Sequence, residues 1–192
     1  MMKNKITTLL FLFVSIAFAQ NKDCKIDFEE QTDSTYIKKT SEFLVHERVF
    51  GNSKEMIFLS LLNSNGVLML GFQQIQKSAD FIPAFCFDAN SKIYFQLENG
   101  KIISLINSGQ ENCSTLNYDL ETKSNIKVLT HFFLFLKENY EELAKSPISL
   151  MRIYHVSEKT DIVLKSELKS ELLNTTSFPT HYFMDYLHCI DK

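Results

Sequence analysis

The chain has 192 residues, 20 basic and 23 acidic, with a net charge of −3. That length suits one domain with a full hydrophobic core, and the mild acidity argues against a nucleic-acid partner, which needs a clustered basic surface. Five glycines and three prolines form no linker, and neither an internal repeat nor a low-complexity tract divides the sequence.

Residues 1–19 read as an export signal. Met1-Met2-Lys3-Asn4-Lys5 is a short basic start, Ile6 to Phe18 is free of charge, and Ala17-Phe18-Ala19 before Gln20 has the small-x-small form of a signal-peptidase site. The apolar run is about 13 residues, short of the ~20 that a membrane-spanning helix needs. Cleavage after Ala19 is expected, leaving residues 20–192 as a single exported α+β domain, periplasmic or extracellular. It would remove Lys3 and Lys5 and no acid, leaving 18 basic and 23 acidic residues, a net charge of −5. Lipid attachment at Cys24 is disfavoured, because Asn21-Lys22-Asp23 is polar where that processing needs small or aliphatic residues. No later segment is apolar for long enough to span a membrane; Val128 to Leu136 is nine residues and contains His131.

Thr35–Lys39 and Phe43–Phe50 read as strands. Met56–Leu62 and Val67–Gln74 then flank Asn65-Gly66, a pair suited to a two-residue turn with positive φ at both centres. That turn sets Leu61 opposite Leu70 and Leu59 opposite Phe72. The other face carries Phe58, Ser60, Leu62, Met69 and Gly71, so both faces are apolar and the hairpin belongs inside a sheet. Phe81–Phe87 is the next expected strand. A second hairpin joins Lys92–Leu97 to Ile102–Asn107 through Asn99-Gly100, with Glu98 opposite Lys101 and with Ile102 and Ile106 on the face of Ile93, Phe95 and Leu97.

Residues 109–125 are polar and turn-rich. Ile126–Leu136 reads as a long strand, Lys137–Lys145 as a helix stopped by Ser146-Pro147, and Ile148–Val156 as a strand. The remainder is expected to be helical, first from Ser166 to Leu173 and then from Ser177 to Ile190, with Pro179 in the first turn. Strands followed by helices make the fold class α+β: a mainly antiparallel sheet of hairpins and meanders, with two or three helices packed on it.

Cys24, Cys86, Cys113 and Cys189 all lie beyond the signal, and an even count in an oxidising compartment points to disulfides. Four cysteines allow three connectivities. Cys86–Cys113 is the first choice, because the two bracket the second hairpin, and Cys24–Cys189 is the residual pair. No C-x-x-C occurs, so neither a thioredoxin-like redox site nor a zinc knuckle is supported.

Few residues suggest chemistry. His181, Asp185 and His188 fall on one stripe of the last helix and are acceptable zinc ligands. Tyr182, Phe183, Tyr186, Leu187 and Ile190 occupy the opposite side, so the stripe reads as the solvated face and no metal is assigned. His46 and Arg48 can share a strand face, but no H-E-x-x-H follows. His131 reads as a satisfied core or edge histidine, and His155 beside Tyr154 is uninformative. Arg152, a charge within an apolar strand, is either paired to a carboxylate or aimed at an anionic ligand, and the paired reading is preferred. G-x-S-x-G, G-x-G-x-x-G and P-loop motifs are all missing, so no catalytic residue is assigned and no cofactor is expected.

The succession Phe85-Cys86, Ile93–Leu97, Asn99-Gly100, Ile102–Leu105 and Asn112-Cys113, followed by Leu143 to Pro147-Ile148, Met151-Arg152-Ile153 and Leu187-His188-Cys189-Ile190, resembles small exported proteins of Bacteroidota-type bacteria. The Ala17-Phe18-Ala19-Gln20 junction is similar to theirs as well. The resemblance implies an α+β fold and a shared cysteine framework, and transfers no activity. The expected function is a non-enzymatic binding or structural module whose partner is an unidentified protein or envelope component. The alternatives are an extracytoplasmic hydrolase, metal-assisted through His181, Asp185 and His188, or a periplasmic inhibitor or immunity-type protein.

Overall fold

A computed structural model describes residues 22–109 and 111–191; the expected export signal, the cleavage expected after Ala19, and Gln20 lie outside them. The chain runs through β1 (Ile26–Gln31), β2 (Tyr36–Thr40), β3 (Phe43–Phe50), β4 (Ser53–Ser64), β5 (Val67–Ser78), β6 (Cys86–Phe87), β7 (Lys92–Leu97) and β8 (Ile102–Asn107). It continues through β9 (Asn112–Cys113), β10 (Thr115–Asp119), β11 (Ser124–Leu134), helix α1 (Lys137–Leu143), β12 (Ile148–Tyr154), β13 (Lys159–Val163), β14 (Leu168–Lys169) and β15 (Thr176–Ser177). It ends in a 3₁₀ turn at Pro179–His181, helix α2 (Tyr182–Tyr186) and a second 3₁₀ turn at Leu187–Ile190.

Eleven strands form one antiparallel sheet in the order β1-β2-β4-β5-β11-β8-β7-β12-β13, with β3 also on β4 and β10 also on β11. The long strands explain the branching. β2 and β3 share one edge of β4, pairing with its last and its earlier residues respectively. Likewise β10 and β8 divide one edge of β11. The core unites Leu59, Leu61 and Phe72 of the β4–β5 end with Phe95, Met151 and Ile162 of the β7–β12–β13 end, so the sheet curls and closes one face upon itself. Its helical residues are few, and among the described residues no helix is long and apolar enough to cross a membrane.

The first hairpin has the register that its turn dictates. Asn65 and Gly66 take φ of 51° and 86°, the two-residue turn with both centres positive, and Leu61 pairs with Leu70 and Leu59 with Phe72. On the opposite face Gly71 leaves room for its neighbours, since a Cβ there would lie 2.3 Å from Ser60 Oγ and 3.3 Å from a carbon of the Phe132 ring.

The second hairpin differs from expectation by one residue. Leu97, not Glu98, faces Lys101, and Gly100 with φ of 86° closes a three-residue loop. The cause is tertiary: Glu98 N donates to Pro147 O at 2.8 Å and Asn99 N to Ser146 Oγ at 3.2 Å, so the loop is tied to the start of β12. A one-residue slip exchanges the faces. Ile103 and Leu105 are therefore buried with Ile93 and Phe95, whereas Ile102 is exposed, and Lys101 pairs with Glu142 at 2.6 Å instead of Glu98.

Four further expectations are corrected. Of Phe81–Phe87 only Cys86–Phe87 is a strand, and the polar stretch after Gly109 contains β9 and β10. The helix expected over Ser166–Leu173 is replaced by the β14–β15 hairpin, because Glu47 of β3 holds its turn: Ser170 Oγ and Glu171 N donate to the Glu47 carboxylate at 2.5 and 2.7 Å. The C-terminal part is thus not mainly helical, and β13 adds an edge strand before it. The last expected helix is broken into 3₁₀, α and 3₁₀ pieces, though Tyr182, Phe183, Leu187 and Ile190 do enter the core.

The structure joins Cys86 to Cys113 and Cys24 to Cys189, and no described cysteine is free. The first bond staples the two-stranded β6–β9 sheet, in which Cys86 and Cys113 are register partners. The second ties the start of the described chain to its end. It also commits the Cys24 sulfur, the atom a lipid anchor would need. Two disulfides suit an oxidising, extracytoplasmic compartment.

Candidate functional site

The inner face of the curled sheet changes character along its strands. Side chains alternate, so Glu55, Ile57, Leu59 and Leu61 of β4 point to one face with Leu70, Phe72, Gln74 and Gln76 of β5. Nearer the β4–β5 turn the rows Leu59/Phe72 and Leu61/Leu70 are apolar. Toward the opposite end the register sets Gln74 beside Ile57, and finally aligns Arg48, Glu55, Gln76 and Lys127 across β3, β4, β5 and β11. The core face therefore ends in a polar row, and there two clefts open.

The smaller cleft, about 330 Å³, lies between the two ends of the curled sheet. His46, Arg48, Glu55, Gln74 and Gln76 line one side, and Glu158, Thr160 and Asp161 the other. The larger, about 590 Å³, shares Arg48, Glu55 and Gln76 with it and continues past Phe50, Lys54, Phe81 and Pro83. The shared residues make the two clefts one groove.

Glu55 is its hub. Oε1 accepts from Gln74 Nε2 at 2.7 Å and from Gln76 Nε2 at 3.3 Å, while Oε2 lies 3.0 Å from Arg48 Nη2 and 4.0 Å from His46 Nε2. Burial holds the His46 imidazole below its ordinary pKa, partly offset by the negative charge of Glu55. The arrangement therefore presents a neutral imidazole, an ion pair and two carboxamides. Gln74 is 3% exposed, and its Oε1 has no hydrogen-bond partner among the described residues. Phe50 and Phe81, by contrast, are 83% and 85% exposed at the mouth of the larger cleft.

Two of the hydroxyls in the groove are engaged with each other. Ser53 Oγ and Ser78 Oγ bond each other at 3.0 Å. Among the described residues no hydrogen bond joins His46 to Ser53, Ser78 or Thr160.

His155 lies behind the groove, stacked on Phe85 and Phe87 with ring centroids 4.7 and 5.0 Å apart. Among the described residues neither ring nitrogen has a hydrogen-bond partner, and burial lowers its pKa to about 4. His131 is instead satisfied, 2.8 Å from Asn107 Oδ1.

The residues singled out as ligands in the sequence lie elsewhere and do not converge. His181 Nδ1 contacts Thr180 Oγ1 at 3.0 Å, Asp185 pairs with Lys22 at 2.8 Å, and His188 Nε2 lies 3.3 Å from Cys24 Sγ. Their four-and-three spacing makes one stripe only on a regular α-helix, and the 3₁₀ turns break that geometry. Among the described residues, the two sets whose ligand atoms do converge are Cys24, His188, Cys189 and Cys86, Glu111, Cys113, and in both the cysteine sulfurs are spent in disulfides. Arg152 is paired: it meets Asp161, its register partner on β13, through Nε and Nη2, each 2.5 Å from a carboxylate oxygen.

Sequence reasoning identified His46 and Arg48 as sharing a face but missed Glu55, Gln74 and Gln76. The signal was present in the alternation Glu55-x-Ile57-x-Leu59 and Phe72-x-Gln74-x-Gln76, which places those polar residues on the core face. Comparison with known proteins finds no family model, curated protein or solved structure that matches this chain.

Proposed function

We propose that the protein is an exported, non-enzymatic binding domain, freed from its leader after Ala19, that takes a segment of a protein partner in the groove floored by Glu55. The observation that carries this reading is the union of opposites at one place. A carboxylate already committed to three donors orders the floor, and two almost fully exposed phenylalanines flank the entrance. Exposed apolar groups rimming a polar cleft are a common form of interaction site. The disulfides suit a compartment outside the cytoplasm, in keeping with the basic-then-apolar start of the sequence.

A photoreactive amino acid introduced in place of Phe50 or Phe81, with cross-linking in cells that export the protein, tests the site. The two positions should yield adducts of one common partner, and the same probe at Ile102, exposed on the outer face of β8, should not. Equal adducts at Ile102, or none at either phenylalanine, would overturn the assignment. The intact mass of the exported protein tests the leader, and should begin at Gln20.

A further inference from the structure

We propose that, when the bond between Cys24 and Cys189 is open, these two thiolates and His188 form a zinc site, so that the disulfide and a bound metal are alternative clasps between the two ends of the chain. The three ligand atoms already converge. His188 Nε2 lies 3.3 Å from Cys24 Sγ and 3.7 Å from Cys189 Sγ. Tetrahedral zinc, with about 2.3 Å to sulfur and about 2.0 Å to nitrogen, needs about 3.5 Å between the nitrogen and each sulfur. Only the two sulfurs have to part, to about 3.8 Å. Cys24 is exposed and has room to turn, while Cys189 stays buried at the edge of the core.

The imidazole has no better use in the oxidised protein. Among the described residues Nε2 meets only the two sulfurs, and Nδ1 is buried without a hydrogen-bond partner. A disulfide sulfur has no proton to give and accepts weakly, so the ring is poorly satisfied there. Two thiolates and a neutral imidazole, by contrast, are three of the four donors of a zinc centre, and the partial exposure of His188 leaves the fourth position to water. The cluster of Cys86, Glu111 and Cys113 offers no such ring, only an exposed carboxylate.

Other contacts keep the ligands together once the disulfide opens. Lys22 Nζ pairs with Asp185 at 2.8 Å and lies 4.7 Å from the centroid of the Phe178 ring, and Ser41 N donates to Lys25 O at 2.8 Å, so Cys24 is fastened on both sides. Beside Cys189, Leu187 and Ile190 are buried in the core, and Asn63 Nδ2 donates to Ile190 O at 2.8 Å. The exchange balances with a dithiol as the reductant. The dithiol gives two electrons and becomes a disulfide, the Cys24–Cys189 bond breaks, two Zn–S bonds and one Zn–N bond form, and the two thiol protons pass to water. A disulfide oxidant runs the exchange backwards and expels the metal.

Titration of zinc into the ¹⁵N-labelled exported protein, oxidised and after reduction by a phosphine, tests this. The oxidised protein should leave the His188 imidazole signals in place, and the reduced protein should shift its Nε2 resonance on taking up zinc. His188→Ala should weaken that uptake about a hundredfold, whereas Glu111→Ala should not change it. If reduction alone unfolds the chain, zinc should restore the dispersed amide spectrum of the wild type and not that of His188→Ala. Adding a disulfide oxidant should then release the metal to a chromogenic chelator. An unmoved His188 signal in the reduced protein, uptake lost with Glu111 instead of His188, or a spectrum that zinc does not restore would overturn the site. Zinc bound equally by the oxidised protein, or kept on reoxidation, would overturn the exchange of metal for disulfide.

Discussion

Gln74 Nε2 donates to Glu55 Oε1 at 2.7 Å, one strand across and one row along the inner face, where the apolar core gives way to the polar groove. The carboxylate gathers Gln74, Gln76 and Arg48 from two neighbouring strands, so its loss strands several donors at once. Glu55→Ala should destabilise the fold by ~1–3 kcal/mol, the cost of leaving buried polar groups unmatched. A urea titration should show a lower midpoint with an unchanged slope; an unchanged midpoint would mean that water replaces the hub without loss.

His155 makes stability depend on pH. Its folded pKa, about 4, lies below the ordinary 6.5, because burial against Phe85 and Phe87 disfavours the imidazolium. The contribution of the neutral ring is thus complete above pH 6.5 and is lost as the pH falls from there toward 4, to the extent of roughly 3 kcal/mol. His155→Phe keeps an aromatic ring between its neighbours and should flatten this acid limb in chemical denaturation measured from pH 7 to pH 4. An identical acid limb in the variant would assign the loss to other groups.

The two disulfides should differ in weight. Cys86 and Cys113 are 27 residues apart and Cys24 and Cys189 are 165 apart. Loop-closure entropy gives about 3–4 kcal/mol for the shorter and about 5 kcal/mol for the longer. Paired serine substitutions should therefore cost more at Cys24 and Cys189 than at Cys86 and Cys113, as read from denaturation midpoints. The reverse order would show that the ends of the chain stay together without their bond.

Arg152→Met should change the melting temperature little. Arg152 and Asp161 remain 39% and 43% exposed, so water replaces each partner when the other is removed. A thermal melt of the variant checks this, and a large fall would mean that the pair organises the β12–β13 edge.

How much of this was legible in the sequence follows the range of the forces involved. Asn65-Gly66 dictates its own turn by local φ preference, and every pairing of the β4–β5 hairpin follows from it. The β7–β8 loop contains the same dipeptide, yet slips by one residue, because Pro147 and Ser146, nearly fifty positions later, capture its amides. The same contrast separates the end of the chain from its expected helices. Local spacing correctly turned Tyr182, Phe183, Leu187 and Ile190 toward the core. No local feature disclosed that Glu47 would hold the Ser170 turn and leave a hairpin where a helix was expected.

The groove is divided in the same way. The alternation along β4 and β5 alone places Glu55, Gln74 and Gln76 on the core face, and the four cysteines are read directly from residue order. Only the curl of the sheet brings Glu158, Thr160 and Asp161 opposite that polar row and lines Phe50 up with Phe81. Local backbone preference sets strands and turns within a few residues; burial of one shared core face closes the sheet, and it is closure that creates the site.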